Sequence, residues 1–262
     1  MLASVGASSA GEHLEAVAVD VARLAARLVR GSVGHATATG TKSTPTDVVT
    51  ATDVESEALI RRELLTRCPG STIVGEELAD DVGTNAVGWV VDPIDGTVNF
   101  LYDLPVIAVS IAATIEDRTV AGAVCDVLRG EVFSAAIGAG ARRNGERIDV
   151  AEPGSLGDSL IGTGFAYATE RRREQTETLT RLLPRARDIR CMGSAALNLC
   201  WVGCGRLDGY YEQDTKTYDY AAGSLVAAEA GARVELPAQN DLDLSIATSP
   251  SIFDELRQLI EV

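Results

Sequence analysis

The sequence predicts a mixed protein in which an α+β half is followed by an α/β half. Three observations carry that prediction. Residues 106–116, 119–127 and 131–137 are β-branched or small runs, parted by Asp117-Arg118 and Arg129-Gly130, which is the pattern of an antiparallel meander. After Pro153-Gly154 short β-like runs alternate with helical ones, as in α/β folds. Over residues 88–97 an apolar run ends in Asp92, Pro93, Asp95 and Gly96. A buried strand that delivers acids at its carboxyl end is where open α/β sheets place their ligands.

In chain order, residues 1–10 lack a basic start and a sustained apolar core, so they are expected as a flexible tail and not a secretory signal. Small, apolar and basic residues alternate over 12–30, a helix closed by Gly31. Residues 34–47 are rich in Gly and Thr without periodicity and are expected as a mobile connection of lid length. Val48-Val49-Thr50 is β-prone. A second helix is expected over 51–68, with Val54, Ala58, Ile60, Leu64, Leu65 and Cys68 on one arc and Pro69-Gly70 as its stop. Residues 71–74 form a short strand that runs into Gly75-Glu76-Glu77, and a polar connection over 78–85 returns to the acid-tipped strand. Beyond the meander, Asn144-Gly145 signals a hairpin. The second half reads as strands over 159–165, 186–190, 207–211, 233–236 and 244–248. Its helices are expected over 170–183, 194–205 and 218–231, with a last one capped by Ser251. The expected division is residues 11–152 and 153–262, two parts of one compact unit, because the seam near Pro153 lacks the composition of a flexible hinge.

Composition narrows the function classes. Hydrophobic content of 46% and charged content of 23% are those of a soluble globular protein. The net charge of −15 argues against direct contact with nucleic acid, which needs a basic patch. Cys68, Cys125, Cys191, Cys200 and Cys204 are odd in number and scattered, which favours free thiols in a reducing, cytoplasmic setting. With His13 and His35 the only histidines, a zinc cluster is short of ligands. No run approaches the roughly 18 apolar residues that a membrane span requires.

Two readings stand for residues 88–97. One is a strand followed by an ordinary Asp-Pro/Asp-Gly turn. The other is a cation site beside an anion site. Rigid Pro93 separates Asp92 from Asp95 and leaves the Ile94 carbonyl free to join them on a hard cation. Gly96 and Thr97 then open a short helix whose N–H groups attract an anion such as phosphate. Glu76 follows a strand, while Asp53 and Asp219 begin helices; taken singly, each suits a capping or first-turn place. Taken together these acids meet the need of magnesium-assisted hydrolysis of a phosphate ester, several carboxylates around two ions about 3.5–4 Å apart. Asp53 with the Thr97 hydroxyl could then orient and deprotonate the water.

At this point the chain resembles the inositol monophosphatase family. The matching blocks are Lys42-Ser43-x-Pro45-x-Asp47-x-Val49-Thr50-x-x-Asp53, Gly75-Glu76-Glu77, Trp89-Val90-x-Asp92-Pro93-Ile94-Asp95-Gly96-Thr97-x-Asn99-Phe100 and Asp219-x-Ala221-Ala222-Gly223. Arg190-x-x-Gly193-Ser194-Ala195-Ala196-x-x-Leu199 and Tyr211-Glu212 add to them. The resemblance implies a five-layered αβαβα sandwich, a homodimer, lithium sensitivity and two to three Mg2+ ions. It implies one ion on Glu76, Asp92 and the Ile94 carbonyl, a second on Asp92, Asp95 and Asp219, and a third near Glu76 under a loop from Lys42 to Asp47. It further implies Asp53, Thr97 and Glu76 as the catalytic set and phosphate contacts from Gly96 and Thr97. Substrate contacts are implied at Ile94, Asp95, Arg190, Gly193, Ser194, Ala195, Glu212 and Asp219. The chain departs from the pattern at Tyr218, where the family commonly has tryptophan, at Lys216 on the pocket rim and in a short connection between Glu76 and Asp92. The expected activity is magnesium-dependent hydrolysis of a small phosphorylated polyol, myo-inositol 1-phosphate. The alternatives are histidinol phosphate or 3′-phosphoadenosine phosphates as substrate, or a regulatory protein acting with the transcription machinery.

Overall fold

In the computed structural model, which describes residues 2–42, 44 and 47–261, the first element is helix α1 (Leu2–Gly31). Leu14, Ala18, Val21, Ala22, Ala25 and Val29 recur at three- and four-residue spacing and are buried against the first sheet. The helix begins at Leu2, so the stretch expected as a tail is helical from that residue. Next, β1 (Ala38–Thr41) pairs antiparallel with β2 (Val48–Thr50). The connection expected as a lid is therefore built on a hairpin; its Ser43, Pro45 and Thr46 lie outside the described residues.

Helix α2 (Ala51–Arg67) departs from its expected apolar arc. Val54 and Ala58 are exposed, while Asp53, Ser56, Glu57 and Arg61 are buried beside Ile60 and Leu64. The helix packs on α1 through its apolar residues and turns a polar face to the segments that carry the site.

The first sheet takes β3 (Thr72–Gly75), β4 (Val87–Asp95), β5 (Ala108–Ile115), β6 (Arg118–Asp126), β7 (Val132–Ala136), β8 (Gly140–Arg143) and β9 (Glu146–Arg147) in sequence order. Only β3 and β4 are parallel; the other pairs are antiparallel, as the meander requires. Short helix α3 (Thr97–Leu101) follows β4. Asn144 and Gly145 both have positive φ, 54° and 84°, as a tight hairpin demands.

The second half supplies β10 (Leu160–Thr163), α4 (Thr169–Leu182), β11 (Asp188–Cys191), α5 (Ala195–Gly203), β12 (Gly209–Gln213), α6 (Thr217–Glu229), β13 (Arg233–Glu235), β14 (Leu244–Thr248) and α7 (Phe253–Glu261). Its sheet runs β11-β10-β12-β14-β13, parallel from β11 to β12 and antiparallel beyond. Ser251, expected to cap α7, lies inside the 3-10 turn Pro250–Ile252 that leads into it.

Helices α1 and α2 cover one face of the first sheet, α5 and α6 lie between the two sheets, and α4 and α7 cover the far face of the second. This is the layered αβαβα arrangement. Val90, Ala108 and Phe133 of the first half share one apolar cluster with Leu199, Trp201 and Val226 of the second. The seam near Pro153 is thus crossed by a common core.

Candidate active site

Strand β4 sets the site. Residues 89–91 are buried and hold the strand in the sheet, so its carboxyl end carries Asp92 (2% exposed) and Asp95 (7%) inward. Register with β5 shifts between them: Asp92 faces Ser110 and Asp95 faces Ala108, leaving one extra residue on β4. Pro93 sits in that bulge, where its missing N–H costs no ladder bond. The Ile94 N–H donates to Asp92 Oδ1 (3.0 Å), and the Ile94 carbonyl faces the Thr97 hydroxyl at 3.0 Å.

The pairing expected between Asp53 and Thr97 is present. Asp53 occupies the first turn of α2, where Oδ2 accepts the Thr50 N–H at 2.9 Å and also the Thr50 hydroxyl. Oδ1 is left facing Thr97 Oγ1 at 3.1 Å. With one proton, the Thr97 hydroxyl serves either Asp53 or the Ile94 carbonyl at a given moment.

Asp95 is tied to the second half. Ser194 Oγ (2.5 Å) and the Ala196 N–H (2.8 Å) donate to Oδ2, and the Ala195 N–H donates to Oδ1 (3.2 Å). A carboxylate of β4 therefore stands over the amino end of α5, where the helix dipole favours negative charge. Ser194 also caps α5 by accepting the Leu197 N–H at 3.2 Å. Asn99 adds a second tie, donating to the Val106 and Met192 carbonyls, both at 2.8 Å, so α3 is fastened to the backbone beside Gly193. Asp219 lies in the first turn of α6, bonded to the Lys216 N–H at 2.5 Å.

The acids raise one another's affinity for protons. Burial, then the charges of Glu76, Asp95 and Asp219, push Asp92 well above the ordinary carboxylate range. Burial likewise raises Asp219, Glu76 and Asp53, the last opposed by the donors from Thr50 and Thr97. Asp95 is pushed up to about 6 by burial, held back by Ser194, Ala196 and Ala195. Lys42 lies against them: its Nζ is 2.7 Å from Glu76 Oε1 and 2.5 Å from Glu77 Oε1. Burial alone would lower the lysine's pKa, yet the two carboxylates together raise it.

Buried all-oxygen donors that repel one another suit a hard divalent cation. Among the described residues no three His, Cys, Asp or Glu side chains form a ready-made cage. Glu76 is turned to Lys42, Asp95 to α5 and Asp219 to the Lys216 N–H. The donor chemistry fits a metal, and Lys42 engages one oxygen of Glu76, Oε1, leaving this acid's other oxygen outside that contact.

Glu212, at the end of β12, accepts from Tyr210 Oη (2.8 Å) and is pushed up to about 7, chiefly by burial. A Cβ on Gly164 would come within 2.1 Å of its carboxylate, so the close approach of that loop requires glycine. Arg190 turns to Asp188 (2.6 Å) and the Ile189 carbonyl (2.9 Å) and to none of these acids. Asp47 closes the hairpin through its backbone, bonded to Lys42 and Thr44. Cavities of about 420 and 350 Å³ lie elsewhere, lined by none of Glu76, Asp92, Asp95 or Asp219.

Several neighbours were not singled out from sequence. The Tyr167 hydroxyl is pushed up to about 12 by burial and by Asp47, Glu76, Glu212 and Asp95, which places it at the rim of the acids. Its local sequence carries no signal of that. Ser56, Glu57 and Arg61 back the site from α2; the four-residue spacing of Asp53, Glu57 and Arg61, one helix face, was the available signal.

The fold and site define a class: a layered αβαβα protein with a buried carboxylate cluster of the phosphate-ester hydrolase kind. The model of the "Inositol monophosphatase family" matches residues 11–256. An inositol-1-monophosphatase from Mycobacterium leprae is 46% identical over 269 residues, covering 94% of this chain and 92% of that protein. The solved structure of Mycobacterium tuberculosis SuhB superposes with a TM-score of 0.82 at 42% identity, covering 96% of each chain. A Pasteurella multocida protein named Nus factor SuhB is 40% identical over 190 residues, 72% of this chain and 71% of that one. The chain belongs to the inositol monophosphatase family and is a phosphatase that acts on phosphate monoesters.

Proposed function

We propose that the enzyme hydrolyses myo-inositol 1-phosphate, or a closely similar phosphorylated polyol, with magnesium as its metal. The observation that carries this is the meeting of Asp92, Asp95, Glu76 and Asp219 beside the Asp53–Thr97 pair. Two or three Mg2+ ions, held by Glu76, Asp92, the Ile94 carbonyl, Asp95 and Asp219, would supply a Lewis acid for the phosphoryl oxygens and neutralise their charge. Thr97 Oγ1 takes a proton from the attacking water as its own passes to Asp53 Oδ1, with Oδ2 kept in place by Thr50. Glu76 completes the water-activating set. The N–H groups of Gly96 and Thr97 receive the phosphate at the start of α3. Glu212, oriented by Tyr210, accepts hydroxyl protons of the polyol beside Gly193, Ser194 and Ala195, with Arg190 at the edge of the pocket. The hairpin holding Lys42 and Asp47 closes the metal side. The name of the M. leprae relative supports inositol 1-phosphate as the substrate. Lithium sensitivity, a homodimer and a cytoplasmic location belong to the same reading, supported by the family; among the described residues no helix is long and apolar enough to cross a membrane.

The test is a panel of inositol 1-phosphate, histidinol phosphate, fructose 1,6-bisphosphate and 3′-phosphoadenosine 5′-phosphate, each with and without magnesium. Preference for inositol 1-phosphate that disappears with the metal is the expected result. Metal-independent turnover, or preference for the nucleotide, would replace this reading. The relative named Nus factor SuhB favours a second, regulatory role. Capture of RNA polymerase subunits that survives Asp92→Asn would support such a role beside catalysis.

A further inference from the structure

Behind the acids lies a buried ion pair that the chemistry above does not use. Glu57 is fully buried on α2, one turn after Asp53, and Arg61 follows one turn later at 6% exposure. Burying two charges costs more than an isolated pair returns unless further hydrogen bonds complete their shells. Here the shells are complete. Glu57 Oε2 accepts the Glu77 N–H at 2.7 Å, and Oε1 accepts the Leu78 N–H at 3.2 Å. Oε1 also receives Arg61 Nε at 2.8 Å and lies 2.7 Å from Nη2. Arg61 continues to the Leu78 carbonyl (3.1 Å) and to Asp81 Oδ2 (2.8 Å).

The segment so gripped is the turn that carries Glu76 and Glu77. Its far end is fixed by the bridge between Ile73 and Asp81, whose paired N–H and carbonyl groups are 2.9 Å apart in both directions. At its near end a Cβ on Gly75 would come within 2.1 Å of Glu57 Oε1, so only glycine lets the turn sit this close to the carboxylate. The neighbouring residue, Ser56, donates to the Pro93 carbonyl at 3.2 Å, inside the bulge between Asp92 and Asp95. One turn of α2 thus holds both acid-bearing segments, one through Ser56 and the other through Glu57.

We propose that Glu57 is a positioning residue for metal uptake: through the Glu77 and Leu78 N–H groups, and braced by Arg61, it sets where Glu76 stands relative to Asp92. The inference rests on the reading of Glu76 and Asp92 as metal ligands. Every group within hydrogen-bond reach of the Glu57 carboxylate is a donor, so Glu57→Gln places an amide NH2 where no acceptor waits and loosens the turn. Outer groups that orient a ligand shift metal affinity by roughly 10- to 100-fold when removed.

The experiment measures Mn2+ binding to the metal-free full chain by electron paramagnetic resonance, for the native protein, Glu57→Gln, Arg61→Lys and Glu235→Gln. The last is a control: it weakens the Arg257–Glu235 pair, a 3.1 Å contact of the second half. The expected result is an affinity loss of roughly 10- to 100-fold for Glu57→Gln, a smaller loss for Arg61→Lys and none for Glu235→Gln. In turnover, the magnesium concentration needed rises more than kcat at saturating magnesium falls. Native Mn2+ affinity in a folded Glu57→Gln overturns the proposal. So does an equal loss in Glu235→Gln, which would mark general loosening. If Glu57→Gln does not fold, Arg61→Lys decides by the same criterion. Failure of the native protein to bind Mn2+ overturns the metal-site reading itself, and this inference with it.

Discussion

At Asp92, burial and the charges of Glu76, Asp95 and Asp219 all favour the neutral carboxyl, and a bound cation would favour the charged one. Asp92→Asn removes that charge at nearly constant volume. Turnover of every phosphate ester should be lost while the far-ultraviolet circular dichroism stays native; near-native activity in magnesium would reject the assignment. Thr97→Ala tests the proton path separately. It deletes the hydroxyl that faces both Asp53 and the Ile94 carbonyl, so kcat should fall about 10²-fold or more with little change in KM. At this scale the sequence was legible for the acids, because their types and spacing declare a chemistry. It was silent on Tyr167, which meets the acids only through the folding of the second half.

Among the elements, α2 and α3 work harder than their lengths suggest. Helix α3 spans only Thr97–Leu101, yet Asn99 within it donates to a carbonyl in each half of the chain, Val106 and Met192. Asn99→Ala leaves the Val106 and Met192 carbonyls without this donor at a buried position. Stability should drop by about 1–3 kcal/mol in chemical denaturation, and phosphate-ester turnover should fall with it, because the segment beside Gly193 loses its tie to α3. The apolar arc expected on α2 misjudged that helix: Val54 and Ala58 point to solvent, while polar residues fill its inner face. Periodicity finds a buried face by its hydrophobicity, and a face buried against a polar site defeats that logic.

For the molecule as a whole, the clustered acids make stability depend on pH. Glu212 and Glu77 are each raised from an ordinary 4.5 to about 7, and Asp95 from 3.8 to about 6, by burial above all. Between those values the native state holds more protons than the unfolded chain, so stability must fall as pH rises. In the presence of a chelator, the melting temperature should therefore decline as pH rises from about 4.5 to 7. Adding magnesium at pH 7.5 should restore it, since an ion bound only by the native state stabilises by mass action. A melting temperature flat across this range in chelator would show that the acids do not titrate as a buried cluster.

The sequence by itself determined the strands of the meander, the alternation of the second half and the acids of residues 88–97, because local periodicity and turn residues encode them. Apolar runs of two- and three-to-four-residue period state which face is buried, and Asp, Pro and Gly at a strand end state where it stops. Only the tertiary structure decided that Asp95 crosses to the amino end of α5, that Lys42 lies between Glu76 and Glu77, and that Glu57 grips the turn beside them. Each of these joins residues distant in the chain. Their pairing is set by the stacking of five layers and by the need to satisfy every charge taken out of water.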